Sequence, residues 1–184
     1  MRLEEILLDD NVDTLLNDEL EYVLTGIPEL NNMIGFDQQH LQHNKDLWEH
    51  TLYALKLSPK DLAIRYALLL HDIGKPFCYQ DTVTKRGVHI RHYEGHEDFS
   101  RETADKILRR LNRYDDDFIE EVCFLIEKHG KQFDSKCLKE EYSKYKKLYE
   151  LQLCDILAHD PNKIKRWFPY FDELKVAINE YEEK

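Results

Sequence analysis

The sequence of 184 residues has little glycine and proline, with six and five residues respectively. Both residues interrupt regular structure, and their scarcity beside 42% hydrophobic and 34% charged residues excludes a fibrous or disordered chain. A chain of this length can bury most of its apolar surface in one core without disulfide or metal staples. We therefore expect a single all-α domain, built as a helical bundle, over residues 1–184.

Long hydrophobic runs are also absent. No stretch reaches the roughly 18 consecutive apolar residues that a membrane-spanning helix requires. The first residues, Met1–Glu5, contain acids where a signal peptide would need an apolar segment. The sequence therefore predicts a cytoplasmic protein without a membrane partner, and it leaves the oligomeric state open.

The few cysteines show no CxxC spacing of the kind found in metal-binding or redox motifs. Two of them lie on apolar faces of predicted helices, so we expect reduced residues rather than ligands or disulfides. The four positions are Cys78, Cys123, Cys137 and Cys154.

Basic residues are also fewer than acidic residues. The chain has 26 Lys and Arg against 37 Asp and Glu, which gives a formal net charge of −11. Affinity for long nucleic acids comes mainly from phosphate neutralisation by basic side chains, so such a partner is disfavoured. A small phosphorylated substrate held by a metal is easier to reconcile with this charge.

Hydrophobic periodicity is helical through most of the chain. Apolar residues from Leu15 to Leu24 recur at spacings of three and four and predict a helix that ends near Pro28, before an irregular stretch over 29–44. Residues 77–93 break the pattern with turn-forming residues and a short alternation, so a β-hairpin is expected there. The other predicted helices cover 46–57, 59–72, 97–113, 116–129, 138–159 and 163–182.

Capping signals place several of these helix starts. Asp46 and Glu49 have the spacing of a capping box. Ser58 precedes Pro59, which predicts an N-cap followed by a proline in the first turn. Asp116 with Asp117 predicts another start, and Pro161 is expected to separate the last two helices.

His71 and Asp72 stand side by side after the apolar run Leu68–Leu70, where Gly74 and Pro76 are expected to stop a helix. A segment this apolar belongs to the core, and a carboxylate in the core needs a partner charge or a metal. A surface pair is therefore disfavoured. Taken alone, the pair fits a metal site or a capping pair equally well.

Other residues of the metal-ligand type lie elsewhere in predicted helices. His50 follows the helix start at Asp46 by about one turn, and His96 and His129 lie near predicted helix ends. Asp155 is inside an apolar helix, where a carboxylate has poor helix propensity and a high cost of burial. A bound cation is the simplest explanation for Asp155.

This order of one histidine, a histidine-aspartate pair and a distant aspartate resembles the HD superfamily of metal-dependent phosphohydrolases. The strings at 46–55, 66–76 and 92–100 are similar to the HD domain of bacterial CCA-adding and poly(A) polymerase enzymes. The resemblance covers about residues 28–160 and leaves a helical extension at 1–27 and a last helix at 163–182. Because no nucleotidyltransferase motif precedes residue 45, we expect an HD module that stands alone.

The resemblance implies two divalent ions, with Asp72 as a catalytic ligand that bridges them. Imidazole and carboxylate ligands suit Mn, Fe, Co, Ni, Zn or Mg, and the sequence does not choose among them. Metal-bound hydroxide, rather than a serine or cysteine, is then expected to attack phosphorus. The minimal family site falls on His50, His71, Asp72 and Asp155, and the additional histidines of two-metal members fall on His96 and His129.

Four further residues are candidates for catalysis or substrate binding. Lys75, one turn after Asp72, is placed to contact a phosphoryl oxygen, and its alternative role is that of a helix C-terminal cation. His92 could support a ligand, contact the substrate or lie on the surface. Arg65 and Arg101 could steady Asp72, contact phosphate or lie on the surface. The histidines that fit no ligand set, and are expected to be structural or exposed, are His40, His43, His89 and His159.

The expected function is hydrolysis of a nucleotide monoester or of a small phosphodiester such as a 2′,3′-cyclic nucleotide. One alternative is hydrolysis of nucleoside triphosphates or signalling nucleotides, for which the chain shows no glycine-rich loop. Another is a non-catalytic regulatory or RNA-end-binding module. Six polar groups buried in one core would be costly for a module of that kind.

Overall fold

The computed structural model describes residues 2–38 and 45–183, and it confirms the all-α fold class. Its strands form one two-stranded antiparallel hairpin, which lies within the interval predicted for it. The elements in chain order are α1 (Leu3–Leu7), α2 (Val12–Asp18), α3 (Leu20–Gly26), a 3₁₀ turn (Pro28–Asn32), α4 (Leu47–Leu57), α5 (Leu62–Leu70), α6 (Lys75–Cys78), β1 (Gln80–Val83), β2 (His89–His92), α7 (His96–Leu111), α8 (Asp116–Lys128), α9 (Lys136–Glu140), α10 (Tyr142–Leu157) and α11 (Pro161–Glu182).

The N-terminal segment is more divided than its periodicity predicts. The single helix expected between Leu15 and Leu24 is two short helices, α2 and α3, which meet at Glu19. Glu19 has φ −102° and ψ 22°, which lie outside the α-helical range, although its N–H still donates to Leu15 and its carbonyl still accepts from Val23. His40 and His43 lie outside the described residues.

Helix α4 begins as predicted. The Asp46 side chain accepts a hydrogen bond from the Glu49 backbone N–H at 2.8 Å, and the Glu49 side chain accepts one from the Asp46 N–H at 3.2 Å. These reciprocal bonds satisfy two donors that the first turn would otherwise leave unpaired. They fix the start of the helix that carries His50.

The predicted start of α5 is wrong, because Asp61 and not Ser58 is its N-cap. The Asp61 side chain accepts a hydrogen bond from the Ile64 N–H at 3.0 Å. Ser58 instead closes the preceding helix, where its hydroxyl donates to the Leu55 carbonyl at 2.7 Å. A serine and an aspartate three residues apart are both good caps, and only the packed structure decides between them.

Helix α5 is the central element of the bundle. All its residues from Ala63 to Leu70 are buried, and it packs against α1, α4, α8 and α10. A helix that is surrounded on every side has no polar stripe, which explains its uninterrupted apolar sequence. The His71-Asp72 pair at its C-terminal end is thereby brought into the interior.

Arg65 does not lie near Asp72, so the suggestion that it steadies this carboxylate is wrong. Its guanidinium is buried and donates to the backbone carbonyls of Leu7 at 2.5 Å and Asp9 at 2.7 Å. It also donates to the Ser58 carbonyl at 3.1 Å. Arg65 therefore ties the chain after α1 to the start of α5.

The C-terminal helices differ from prediction in their boundaries. The helix expected over 138–159 is two helices, α9 and α10, because Glu141 has φ −137° and ψ 67°. Pro161 lies within the first turn of α11, and the Asp160 side chain caps that helix. Asp115, rather than Asp116 or Asp117, caps α8 by accepting from the Phe118 N–H at 2.9 Å.

Helix α11 packs against α9 and α10 through a small cluster of its own. Leu138 of α9 and Leu174 and Ile178 of α11 form its buried centre, with aromatic side chains around them. The four cysteines are free, as expected, and Cys123 and Cys154 are buried. No helix within 2–38 and 45–183 has the length and apolarity needed to cross a membrane.

Candidate metal centre

The structure brings the six predicted ligands together from five segments. His71 and Asp72 follow α5, and His129 follows α8. His50 lies inside α4, His96 opens α7 and Asp155 lies in the last turn of α10. All of these side chains are buried except that of His96, which is half-buried.

One carboxylate oxygen of Asp72 faces the first group of ligands. Its Oδ2 lies 3.1 Å from Nε2 of His71 and 4.0 Å from Nε2 of His50. Asp155 completes this side, because its Oδ1 is 2.9 Å from Nε2 of His50 and 3.5 Å from Nε2 of His71.

The other oxygen of Asp72 faces a second group. Its Oδ1 lies 3.2 Å from Nε2 of His96 and 3.6 Å from Nε2 of His129. The ligand atoms of Asp72, His96 and His129 all lie within 4.8 Å of one another, as do those of His50, His71 and Asp72. Asp72 therefore lies between two clusters that could each hold a metal ion.

The histidines are oriented by backbone carbonyls. Nδ1 of His71 lies 2.7 Å from the Leu68 carbonyl oxygen. In His96 and in His129, Nδ1 lies 2.6 Å from the carbonyl oxygen of the residue three positions upstream. A carbonyl oxygen only accepts, so each Nδ1 carries a proton. In the neutral form of each ring, Nε2 then has a lone pair on the side of Asp72, which is the tautomer that a metal ligand needs.

Two buried atoms at the centre have no hydrogen-bond partner in the part of the chain that the structure describes. They are Nε2 of His71 and Oδ1 of Asp72. An unpaired buried polar atom costs about 1–3 kcal/mol, so its presence calls for an explanation. Nitrogen and carboxylate donors around a closed centre fit divalent transition metals, and a bound ion would satisfy both atoms.

Electrostatics favour the ionised carboxylate. Burial raises the pKa of Asp72, but the charges of His71 and Lys75 outweigh it and hold that pKa well below its usual range. Burial lowers the pKa of His71, but Asp72 and Asp155 outweigh it and raise the pKa to about 10. A metal ion at the centre would take the place of that proton. Burial lowers the pKa of the other interior histidines, His50, His129 and His159.

Lys75 lies at the centre, and not at a solvent-exposed helix end. Its Nζ is 2.7 Å from Oδ2 of Asp72 and donates to Oε1 of Gln38 at 3.0 Å. The side chain is buried, with 6% of its surface exposed. Its ammonium therefore compensates the charge of Asp72 directly.

His92 and Arg101 are not brought to this centre. His92 is exposed on β2, where its Nε2 lies 3.0 Å from the Thr82 hydroxyl. Arg101 is exposed on α7, and its Nε is 3.7 Å from Glu127. Their assignment as substrate contacts stays a prediction, with no contact to the six ligands to support it.

Gly74 allows α7 to approach the histidine-aspartate pair. A Cβ atom at this position would lie 2.7 Å from the His96 carbonyl oxygen and 2.9 Å from the Ser100 hydroxyl. The same hydroxyl accepts a hydrogen bond from the Gly74 N–H at 2.9 Å. Gly74 has an ordinary right-handed conformation, so it is needed for close packing rather than for the helix stop that its sequence position predicts.

Three residues beside the centre are not among those predicted from the sequence. His159 is buried and its Nδ1 lies 3.7 Å from Oδ1 of Asp155, so the alternative that it is exposed is wrong. Lys163 and Trp167 line the same cavity, which has a volume of about 220 Å³. The three follow Asp155 at successive intervals of four residues, a helical spacing that could have pointed to a shared face.

Comparison with known proteins places the candidate ligands in a recognised domain family. The model of the HD domain family matches residues 46–160, which is more than half of the chain, and the chain therefore belongs to the HD domain family. The six histidines and aspartates described above lie on five segments of this matched stretch.

Two curated relatives are similar over shorter stretches. An A-adding tRNA nucleotidyltransferase of Deinococcus radiodurans is 36% identical over 91 residues, which are 46% of this chain and 20% of that protein. A multifunctional CCA protein of Alkalilimnicola ehrlichii is 43% identical over 53 residues, which are 27% of this chain and 13% of that protein. The similarity thus spans a fifth or less of either relative.

Proposed function

We propose that the protein is a metal-dependent phosphohydrolase that acts on a nucleotide monoester or on a small phosphodiester such as a 2′,3′-cyclic nucleotide. The observation that carries this proposal is the position of Asp72, whose two oxygens face separate groups of ligands. A bridging carboxylate of this kind is suited to a centre of two divalent ions.

Each residue of the centre would have a separate role in binding the ions or the substrate. His50, His71 and Asp155 would hold one ion and His96 and His129 the other, with Asp72 between them. Bound ions supply Lewis acidity, which lowers the pKa of a water molecule and offsets the charge that develops on the phosphoryl group. Lys75 would keep Asp72 ionised and oriented, and would offer its remaining donor capacity to a phosphoryl oxygen.

One relative supports a nucleotide-type substrate, because its name describes a tRNA nucleotidyltransferase. The same name favours one alternative, an HD module that binds RNA ends without catalysis. Against it stands the burial of five of the six ligand-type groups, with His96 half-buried, which is costly unless the groups hold a metal. A nucleoside triphosphate or a signalling nucleotide as substrate has no specific contact in its favour, and a cytoplasmic location stays a prediction.

Hydrolysis of two chromogenic esters tests the proposal. Protein stripped of metal and reloaded with Mn, Co, Ni, Zn or Mg would be assayed with p-nitrophenyl phosphate and with bis(p-nitrophenyl) phosphate. We expect metal-dependent activity, and the ratio of the two rates separates a monoesterase from a diesterase. Nucleoside triphosphates would be assayed in parallel.

Asp72→Asn is the diagnostic variant, because it keeps the shape of the side chain and removes its charge. Activity should fall by about 100-fold or more. His89→Asn is the matched control, since His89 is exposed on β2 and should leave activity unchanged. Activity that survives in Asp72→Asn, or its absence with every metal, would overturn the enzymatic proposal.

A further inference from the structure

The cavity beside the candidate metal centre is lined by two chemically different sets of residues. One set consists of candidate ligands, among them Asp72, His96 and Asp155. The other set contains Lys163 and Trp167 of α11. These two residues lie beyond the segment 46–160 that matches the HD family.

The ammonium of Lys163 is held by a neutral acceptor. Its Nζ lies 2.6 Å from Nε2 of His159. Nδ1 of His159 lies 2.8 Å from the Asp155 carbonyl oxygen and must donate to it. Nε2 of His159 therefore has a lone pair that accepts a hydrogen bond from Lys163. Asp155 orients His159 in this way, and His159 holds the lysine beside the cavity.

Lys163 lacks a close carboxylate partner among residues 2–38 and 45–183, since none of their carboxylate oxygens lies within 4.0 Å of its Nζ. Lys75 differs, because it touches Asp72 at 2.7 Å. The carboxylates of Asp72, Asp155 and Asp160 act on Lys163 only from a longer range. An anionic ligand in the cavity would pair with its half-buried ammonium directly. If the protein is a phosphohydrolase, as proposed, the anion that enters this cavity is the phosphoryl group of the substrate.

Trp167 lies one helical turn after Lys163 on the same face of α11. Its indole is half-buried and is supported by Tyr170 at 5.5 Å and Phe171 at 5.9 Å between ring centroids. A supported indole at a cavity wall is suited to stacking on a flat ring of the substrate.

We propose that Lys163 and Trp167 form a substrate-recognition wall, in which Lys163 binds a phosphoryl oxygen and Trp167 stacks on a nucleobase. The preferred substrate class is then a nucleoside monophosphate and not a sugar phosphate without a base. This inference rests on the proposed function, because it concerns the same cavity.

Intrinsic fluorescence measures binding without relying on activity. The chain has two tryptophans, and Trp48 is 4% exposed with its indole N–H donated to Asn17 at 3.0 Å. Adenosine, guanosine, cytidine and uridine 5′-monophosphates would be titrated into metal-loaded protein, with ribose 5-phosphate as the probe that lacks a base. We expect nucleotides to quench Trp167 and ribose 5-phosphate to leave it unchanged.

Variants assign the two contacts. Trp167→Leu should abolish the quench and raise the KM of the preferred nucleotide by about 10-fold or more, with the KM of ribose 5-phosphate unchanged. Lys163→Gln should raise the KM of both compounds. The matched controls are Phe168→Leu and Lys165→Gln, because both residues are exposed on the same helix.

The possible outcomes separate this inference from the proposed function. Nucleotide-specific quenching without hydrolysis by any metal form would leave the recognition wall in place and overturn the enzymatic proposal. Hydrolysis with the same KM for nucleotides and ribose 5-phosphate, unchanged in Trp167→Leu, would overturn the recognition wall alone. No quenching by any of the four nucleotides would also overturn it.

Discussion

At the scale of single residues, Asp72 shows how one carboxylate organises a site. Its two oxygens face different histidines, and Lys75 contacts it from α6. The carboxylate of Asp72 is buried, and no single helix can surround it. Its histidine and lysine partners must therefore come from several elements. The apolar sequence before Asp72 predicts its burial, whereas the identity of its neighbours depends on contacts between distant segments.

His96 and His129 provide a test of whether the centre holds two ions. Both approach the Oδ1 oxygen of Asp72, and neither lies with the His50 group. The double variant His96→Ala/His129→Ala should therefore lower the metal content from about two ions per chain to about one. Elemental analysis of protein purified without chelators measures this directly.

The control for metal content is His89→Ala, which removes an exposed histidine of β2 that belongs to none of the candidate metal groups. It should bind as much metal as the unmodified protein. If the double variant also keeps its full metal content, both histidines have structural roles and the centre is built from the other four ligands.

At the scale of secondary-structure elements, the close approach of α7 to the histidine-aspartate pair depends on Gly74. Gly74→Ala would place a Cβ 2.7 Å from the His96 carbonyl oxygen, so the start of α7 must move. We expect a loss of about 1–3 kcal/mol in stability and weaker binding of the second ion, because His96 moves with its helix. Thermal unfolding and metal titration measure the two effects.

Gly26→Ala is the matched control for this effect. Among the described residues, a Cβ at Gly26 would meet Leu111 at an ordinary distance of 3.9 Å. The control should keep both the stability and the metal affinity of the unmodified protein. A Gly74→Ala protein that behaves in the same way would show that α7 does not depend on this close contact.

The elements themselves were predictable where local signals are unambiguous. The capping box at Asp46 and Glu49 gives the start of α4 correctly. Local signals fail where two caps compete, as at Ser58 and Asp61, because Ser58 is used by the preceding helix. They also fail to divide α9 from α10, since Glu141 interrupts the helix without any glycine or proline.

The candidate site was predictable to the same degree. The six candidate ligands follow from residue types, burial and resemblance, and the structure brings all six side chains together. Lys163 and Trp167 were missed because a lysine and a tryptophan on an amphipathic helix have many ordinary roles. Only the packing of α11 against α10 shows that both line the cavity.

At the scale of the whole molecule, the site depends on helices distant in sequence that are held in register around α5. Arg65 is one of the residues that fix this arrangement, because its guanidinium joins α5 to the chain after α1. An arginine buried in this way satisfies several backbone carbonyls at once, which a hydrophobic side chain cannot do.

Arg65→Met tests the importance of this connection. Methionine fills much of the volume but leaves the carbonyls of Leu7, Asp9 and Ser58 without their donor. We expect a loss of about 3 kcal/mol in the free energy of unfolding, which corresponds to a fall of roughly 6–12 °C in the melting temperature. Denaturant unfolding followed by circular dichroism measures the change.

Arg109→Met is the matched control, because Arg109 pairs with Asp105 and Asp116 on the exposed surface of the molecule. Surface pairs of this kind add little to stability, so this variant should unfold close to the unmodified protein. Metal content in folded Arg65→Met should be unchanged, since Arg65 contacts none of the six ligands. Equal stability of the two variants would show that the carbonyls freed by Arg65→Met find water, and that the N-terminal helices are held by their apolar contacts alone.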